Sequence, residues 1–278
     1  MSVALAERET APLTIEPVVN YIVNDGTKVI NYVGVPGVES KNTGTPDPRK
    51  VVMHNGRPHL NEFKLDVDGF RFVHHDTKVQ NFFDEAELRR VYYPEVEALI
   101  KAESGAKRVV VFDHTLRTAD DALREKEKIR EVVRRAHNDY TEQSAPQRLK
   151  DILPDEADEL LKKRFAIIQV WRPIRHPVET HPLAIADARS VSTDDFVLTE
   201  RRSPGRIGQT YAVAHSPKHK WYWFPRHARD EALVFKVYDS LKDGRARWTA
   251  HTAFDDPTAP PNARPRESIE IRTLALFD

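Results

Sequence analysis

The sequence predicts a mainly β fold with flanking helices, built on a jelly-roll-like or sandwich core. Three observations carry that reading. Short apolar or alternating runs recur from "VNYIV" to "ESIEIRTLALF"; 19 prolines and clusters of Gly, Asn and Asp punctuate them; and only a few stretches have helical character. No internal repeat is visible and no linker interrupts the chain after residue 50. Residues 1–278 are therefore expected to form a single domain, with residues 1 to 15 as a loose tail.

Taken in order, "VNYIV" and "KVINYVG" read as short extended pieces, and "VPGVESKNTGTPDPRK" as a loop. "FKLDVDGFRFVHHDTKV" has two alternating runs around Asp68-Gly69, which predicts a hairpin ending at His74 and His75. "DEAELRRVYYPEVEALIKAES" predicts a helix opened by Asp84 and interrupted near Pro94, and "AKRVVVFDHTLR" a strand apolar on both faces. "TADDALREKEKIREVV" fits a helix or a mobile surface segment, and "LKDILPDEADELLKKR" two short helices split at Pro154. "FAIIQVWRPI" is a buried strand by its unbroken apolar run. Further strands are expected at "DFVLTERR", "GQTYAVAHS", "KWYWFP", "ALVFKVYDS", "RWTAHTAF" and "ESIEIRTLALF".

Composition narrows the function classes. Lys+Arg and Asp+Glu are both 43, so bulk positive charge does not serve nucleic-acid binding. With no cysteine, thiolate metal sites, cysteine nucleophiles and disulfides are excluded, and any metal must be held by His, Asp or Glu. The N-terminus lacks a basic, apolar leader pattern, and no stretch approaches the roughly 20 apolar residues of a membrane span. The expectation is a cytoplasmic protein without membrane contact.

The stretch "RRAHNDYTEQ" holds His137-Asn138-Asp139. His-x-Asp is weak by itself, because a chain with 12 histidines contains one by chance, and His74-His75-Asp76 also fits. On a helix the two side chains would stand about 200° apart, whereas on a strand they share a face and converge. A surface strand with incidental polar residues explains this stretch equally well. The C-terminal region adds weight to the metal reading. "VFKVYDSLKDGRARWTAHTAF" reads as a hairpin turning at Lys242-Asp243-Gly244 with His251 in its second strand. A proline-rich loop then leads to a neighbouring strand on which Arg266 and Ser268 share a face. His251 would complete a two-histidine, one-carboxylate set that leaves positions open on iron. Arg266 and Ser268 would grip the far carboxylate of an organic diacid, with Arg272, on the same face by parity, as the alternative anchor.

The order His-x-Asp, distal His, Arg-x-Ser resembles the iron(II)/2-oxoglutarate-dependent dioxygenases. The runs "DEAELRRVYYPEVEALIK", "GAKRVVVFDHTLR", "AHNDYT", "IIQVWRPI", "HPLAIADARS", "FKVYDS", "HTAFDDP" and "PRESIEIR" resemble one group among them. It is the group related to the 7α-cephem-methoxylase P8 chain, gibberellin desaturase-like proteins and AsaB-type hydroxylases. The resemblance runs from about residue 60 to the C-terminus. It implies a double-stranded β-helix (cupin-type jelly roll) with Fe(II) at one mouth, held by His137, Asp139 and His251. It also implies 2-oxoglutarate and O2 as co-substrates. The activity implied is hydroxylation, desaturation or ring closure of a small metabolite, amino-acid-like as one option, with release of succinate and CO2.

Other residues carry a bland and a sharp reading side by side. Gln169 and Trp171 share a strand face, so Gln169 is a candidate to touch the co-substrate and Trp171 to line the pocket. Arg172 is a candidate for a substrate carboxylate, as is Arg189, whose neighbour Asp187 could simply pair with it. His114 is a candidate for substrate binding against a hydrogen-bonded core histidine. His74 and His75 lack an anchor, and His176, His181, His215 and His219 read as surface residues. His227, in the turn-like "FPRHARDEAL", is the competitor to His251. The rival function is a non-catalytic cupin-like small-molecule binding protein; a metal enzyme without 2-oxoglutarate is disfavoured by Arg266 and Ser268.

Overall fold

The computed structural model describes residues 11–39 and 41–278. Along the chain the strands are Thr14–Ile15 (β1), Val18–Ile22 (β2), Val29–Tyr32 (β3), Pro46–Lys50 (β4), Met53–Asn55 (β5), Phe70–His74 (β6), Arg108–Thr118 (β7) and Arg130–Glu131 (β8). They continue as His137–Asn138 (β9), Phe165–Pro173 (β10), Leu183–Ala186 (β11), Phe196–Ser203 (β12), Arg206–Val213 (β13), Trp221–Trp223 (β14), Glu231–Asp239 (β15), His251–Ala253 (β16) and Glu267–Leu276 (β17). One sheet has the order β1-β5-β14-β11-β16-β9-β13-β12-β3, a second the order β6-β15-β10-β17-β7-β8, and β2 pairs with β4. From β8 to β11 and again from β14 to β17 each strand passes to the other large sheet, which is the jelly-roll winding of a double-stranded β-helix.

Alternation along β10 explains why its apolar run is unbroken. Phe165, Ile167 and Trp171 enter the core between the sheets with Phe70, Phe235, Ile185, Tyr222 and Leu274. Ala166, Ile168 and Val170 face the other way, against Val96, Leu99 and Ile100 of the helix Tyr93–Ser104. A strand covered on both faces shows no polar alternation. Each of the larger of these side chains contributes roughly 1.5–3 kcal/mol on burial.

The helical segment begins where Asp84 accepts hydrogen bonds from the amides of Ala86 and Glu87. The interruption expected near Pro94 takes the form of a π turn over Leu88–Tyr92, after which the helix runs to Gly105 in the left-handed conformation, φ 76°. Helices Ser144–Ile152 and Ala157–Leu160 flank Pro154, and Asp121–Glu127 is helical with Asp120 as its cap.

Three local expectations are corrected. Asp68-Gly69 is not a hairpin turn: the Asp68 carboxylate instead accepts from the Lys64 amide and closes a turn, and only the Phe70–His74 half is a strand. The segment around Lys242-Asp243-Gly244 does not join a hairpin, because β15 lies in the six-stranded sheet and β16 in the nine-stranded one. For the same reason β16 and β17 face each other across the core rather than lying side by side. The tail expected over residues 1 to 15 lies outside the described residues up to 10, while Thr14 and Ile15 pair with His54 and Met53.

Candidate active site

β9 sits between β16 and β13, with His137 registered against both His251 and Ala212. The two imidazoles therefore meet directly, their centroids 4.3 Å apart. Asp139 lies in the bend just after β9, its Oδ1 3.4 Å from His137 Nε2. Ligand atoms of His137, Asp139 and His251 all lie within 4.8 Å of one another, close enough for one ion to bridge.

The second nitrogen of each histidine is already spoken for. His137 Nδ1 is 2.8 Å from the Arg135 carbonyl, and His251 Nδ1 is 3.0 Å from that of Thr249. A carbonyl can only accept, so each Nδ1 carries the proton and each Nε2 offers its lone pair. Burial, followed by the neighbouring His137, depresses His251 to about 4, which keeps it in the neutral, ligating form. Burial alone would raise the Asp139 carboxyl. The close approach of the His137 imidazole and the charge of Arg272 instead hold it well below the usual carboxylate range. Two neutral imidazoles and one carboxylate are the donor set that suits Fe(II) with open positions.

The far oxygen of Asp139 is held from the opposite sheet. Gln169 donates its amide to Oδ2 at 2.7 Å, and Arg272 Nε stands 3.5 Å from the same atom. Arg272 also binds Glu270, donates to Thr115 at 2.8 Å and reaches Asp113 at 3.2 Å. Burial alone would make its charge costly, but Glu270, Asp139 and Asp113 outweigh that and keep it protonated. A guanidinium so fully engaged has no fork left for a diacid.

Arg266 is different. Its guanidinium lies 5.2 Å above the Trp171 ring and donates to the His181 carbonyl at 2.6 Å, while its Nε is buried without a partner. Ser268 Oγ, Gln169 Oε1 and His251 Nε2 are likewise buried and unpartnered. Leaving such an atom unsatisfied costs roughly 1–3 kcal/mol. All four belong to residues that the sequence puts in one site, and iron with a carboxylate-bearing co-substrate would satisfy donors and acceptors of this kind. Burial, then Arg117, pushes Arg266 down to about 9; it stays charged at neutral pH, and an incoming carboxylate would offset the cost of burying that charge.

The remaining candidates lie elsewhere. Arg172 is a correction: it occupies the opposite face of β10 from Gln169 and Trp171, where it donates to the carbonyls of His75 and Arg229 and sits over the Tyr92 ring. His114 also faces outward, with Nδ1 2.7 Å from the Tyr93 hydroxyl and Nε2 3.2 Å from Glu85. Arg189 is bound by Asp187 and Asp68 at 2.7 and 2.6 Å, outside the metal cluster. His227 is buried, contrary to the mobile turn expected, and its Nε2 pairs with the Glu231 carbonyl at 3.0 Å while its ring packs against Trp171 and Phe72. His219, expected at the surface, is buried between Tyr21, Asp195 and Trp221. Glu270, which orients Arg272, carried no signal of its own in the sequence.

Comparison with known proteins agrees with this geometry. A family model described as "Oxidoreductase/YMDC permease-like domain" matches residues 19–276. The hydroxylase/desaturase CTB9 of Cercospora beticola is 35% identical over 277 residues, which cover 91% of this chain and 83% of that protein. The Fe(II)/2-oxoglutarate-dependent dioxygenase nvfI of Aspergillus novofumigatus is 34% identical, covering 82% of this chain and 84% of that one. The chain belongs to the Fe(II)/2-oxoglutarate-dependent dioxygenases. The solved structure of the iron and alpha-ketoglutarate-dependent endoperoxidase NvfI superposes on this dioxygenase with a TM-score of 0.87 and 29% identity, over 96% of this chain and 99% of that one. The dioxygenase thus uses Fe(II), 2-oxoglutarate and O2 and hydroxylates, desaturates or cyclises a small molecule, releasing succinate and CO2. The rival reading of a non-catalytic barrel falls with that result. Among the described residues of the dioxygenase no helix is long and apolar enough to cross a membrane.

Proposed function

We propose that His137 Nε2, Asp139 Oδ1 and His251 Nε2 hold the iron of this dioxygenase, and that Arg266 with Ser268 takes the far carboxylate of 2-oxoglutarate. The observation that carries the proposal is the coincidence of four unpartnered buried polar atoms with the ordered motif His137-x-Asp139, His251, Arg266-x-Ser268. When bound there, Fe(II) supplies the oxidising power, drawing on 2-oxoglutarate and dioxygen. The protein's part is positional. Gln169 and Arg272 fix Asp139 by Oδ2, so that Oδ1 alone turns toward His137. Carbonyls of Arg135 and Thr249 fix both imidazoles. Trp171 floors the anchor, keeps water from the Arg266 guanidinium and strengthens any charge pair formed above it. The core shared by both large sheets supports reading the chain as one domain, and relatives named hydroxylase/desaturase support a small metabolite, of secondary metabolism, as substrate.

Metal analysis after anaerobic reconstitution tests the ligand set. The wild type should retain one Fe(II) per chain, and Asp139→Ala and His251→Ala less than about a tenth of that, with unchanged near-UV circular dichroism. Full occupancy in either variant would remove that residue from the set.

A further inference from the structure

Around the proposed metal site, positive charge exceeds what iron and co-substrate can use. Arg117 lies on β7 directly opposite Ser268 of β17 and beside Arg130 of β8. It is two residues from Thr115, which accepts from Arg272, so it stands on the site side of the six-stranded sheet. Among the described residues its guanidinium donates to the Glu131 backbone carbonyl alone, at 2.8 Å. Arg201 comes from the other sheet. On β12 it shares a face with Val197 and Thr199, which are 8% and 3% exposed, whereas Leu198 on the other face is 51% exposed. Register carries that face from Val197 through Ala212 to His137, so Arg201 lies on the same side of the sheet as the first histidine.

Both arginines share Asp139, Arg272 and Arg130 as charged surroundings. Among the described residues none of Arg117, Arg130 and Arg201 forms an ion pair with a carboxylate. Asp139 is committed to the histidines and Arg272, and Glu270 to Arg272. The five guanidiniums of Arg117, Arg130, Arg201, Arg266 and Arg272 thus surround the three carboxylates of Asp139, Glu270 and Asp113, in a chain whose formal net charge is zero. A divalent iron and a doubly charged 2-oxoglutarate cancel each other, so bound cofactors leave the excess in place. Half-buried cations directed to the site side from two sheets carry a solvation cost that an anion held between them would offset.

We propose that the substrate of this dioxygenase carries a carboxylate-like oxyanion, and that Arg117 and Arg201 bind it from opposite walls of the site. The inference rests on the ligand and anchor assignment above. Sulfate serves as a probe of the anion subsite that is independent of the substrate's carbon skeleton. Protein loaded with Fe(II) and saturating 2-oxoglutarate under argon is titrated with sulfate at fixed ionic strength in a calorimeter. One saturable sulfate per chain is expected, weakened at least tenfold in Arg201→Gln and in Arg117→Gln, with 2-oxoglutarate affinity kept within twofold. Among the described residues the Arg201 side chain has no hydrogen bond to lose, so its variant reports on anion binding with little effect on folding. Absence of saturable sulfate binding, or wild-type binding in both variants, overturns the proposal. So does weakened 2-oxoglutarate binding with sulfate binding intact, which would assign these arginines to the co-substrate. If the anchor assignment itself is wrong, Fe(II)-dependent 2-oxoglutarate binding survives in Arg266→Ala before any sulfate is added.

Discussion

Replacing Arg266 with alanine should separate co-substrate binding from metal binding. The guanidinium is 3% exposed, is stacked on Trp171 and has one hydrogen bond, to the His181 carbonyl; none of its contacts involves His137, Asp139 or His251. A buried carboxylate that loses its guanidinium partner costs about 2–5 kcal/mol, roughly 30- to several-thousand-fold in affinity. The expected outcome is a 2-oxoglutarate requirement raised by that factor, with iron retention within about twofold of wild type. Anaerobic titration of the Fe(II) protein with 2-oxoglutarate, followed by the weak visible charge-transfer band, reads the first quantity, and metal analysis the second. Arg272→Ala is the control. It strands Glu270 and withdraws a charge from Asp139, so it should lower iron retention and stability together. The reasoning is refuted if Arg272→Ala raises the 2-oxoglutarate requirement steeply with iron retained and Arg266→Ala does not.

Gly69→Ala should destabilise the fold by about 2–4 kcal/mol, since φ is +88° there and an added Cβ would run into Thr249 Oγ1; an unchanged urea midpoint would contradict this. The third prediction concerns acid stability. Burial holds His227 at about 3, against 6.5 for the exposed group. The unfolded chain takes up this proton first, so stability is undiminished above pH 6.5 and falls as pH drops toward 3, by at most about 1.4 kcal/mol per pH unit from this residue. His227→Gln should therefore flatten the curve of stability against pH over that window relative to wild type, and parallel curves for the two proteins would show that His227 is not the group responsible.

Much of the site was legible because side-chain parity is a local property of the chain. On any strand, His137 and Asp139 share a face, as do Gln169 and Trp171, and as do Arg266 and Ser268, and the structure keeps all three pairs. The same rule, carried one residue on from Trp171, turns Arg172 to the opposite face and corrects its candidacy for a substrate carboxylate; its guanidinium lies over the Tyr92 ring. Helix boundaries at Asp84, Pro154 and Gly105 were legible for similarly local reasons of capping and ring geometry. Which strand pairs with which was not legible. A turn at Asp243-Gly244 looks like a hairpin whether β15 and β16 pair or part, and only the core between the sheets sends them to opposite sides. That crossing brings Gln169 and Arg272 to Asp139, and Arg117 opposite Ser268, 151 residues along the chain from it. The sequence by itself determined which residues can act as ligands and which way they alternate. Tertiary structure decided which of them meet, because the free energy that selects strand partners comes from burying surfaces far apart in sequence.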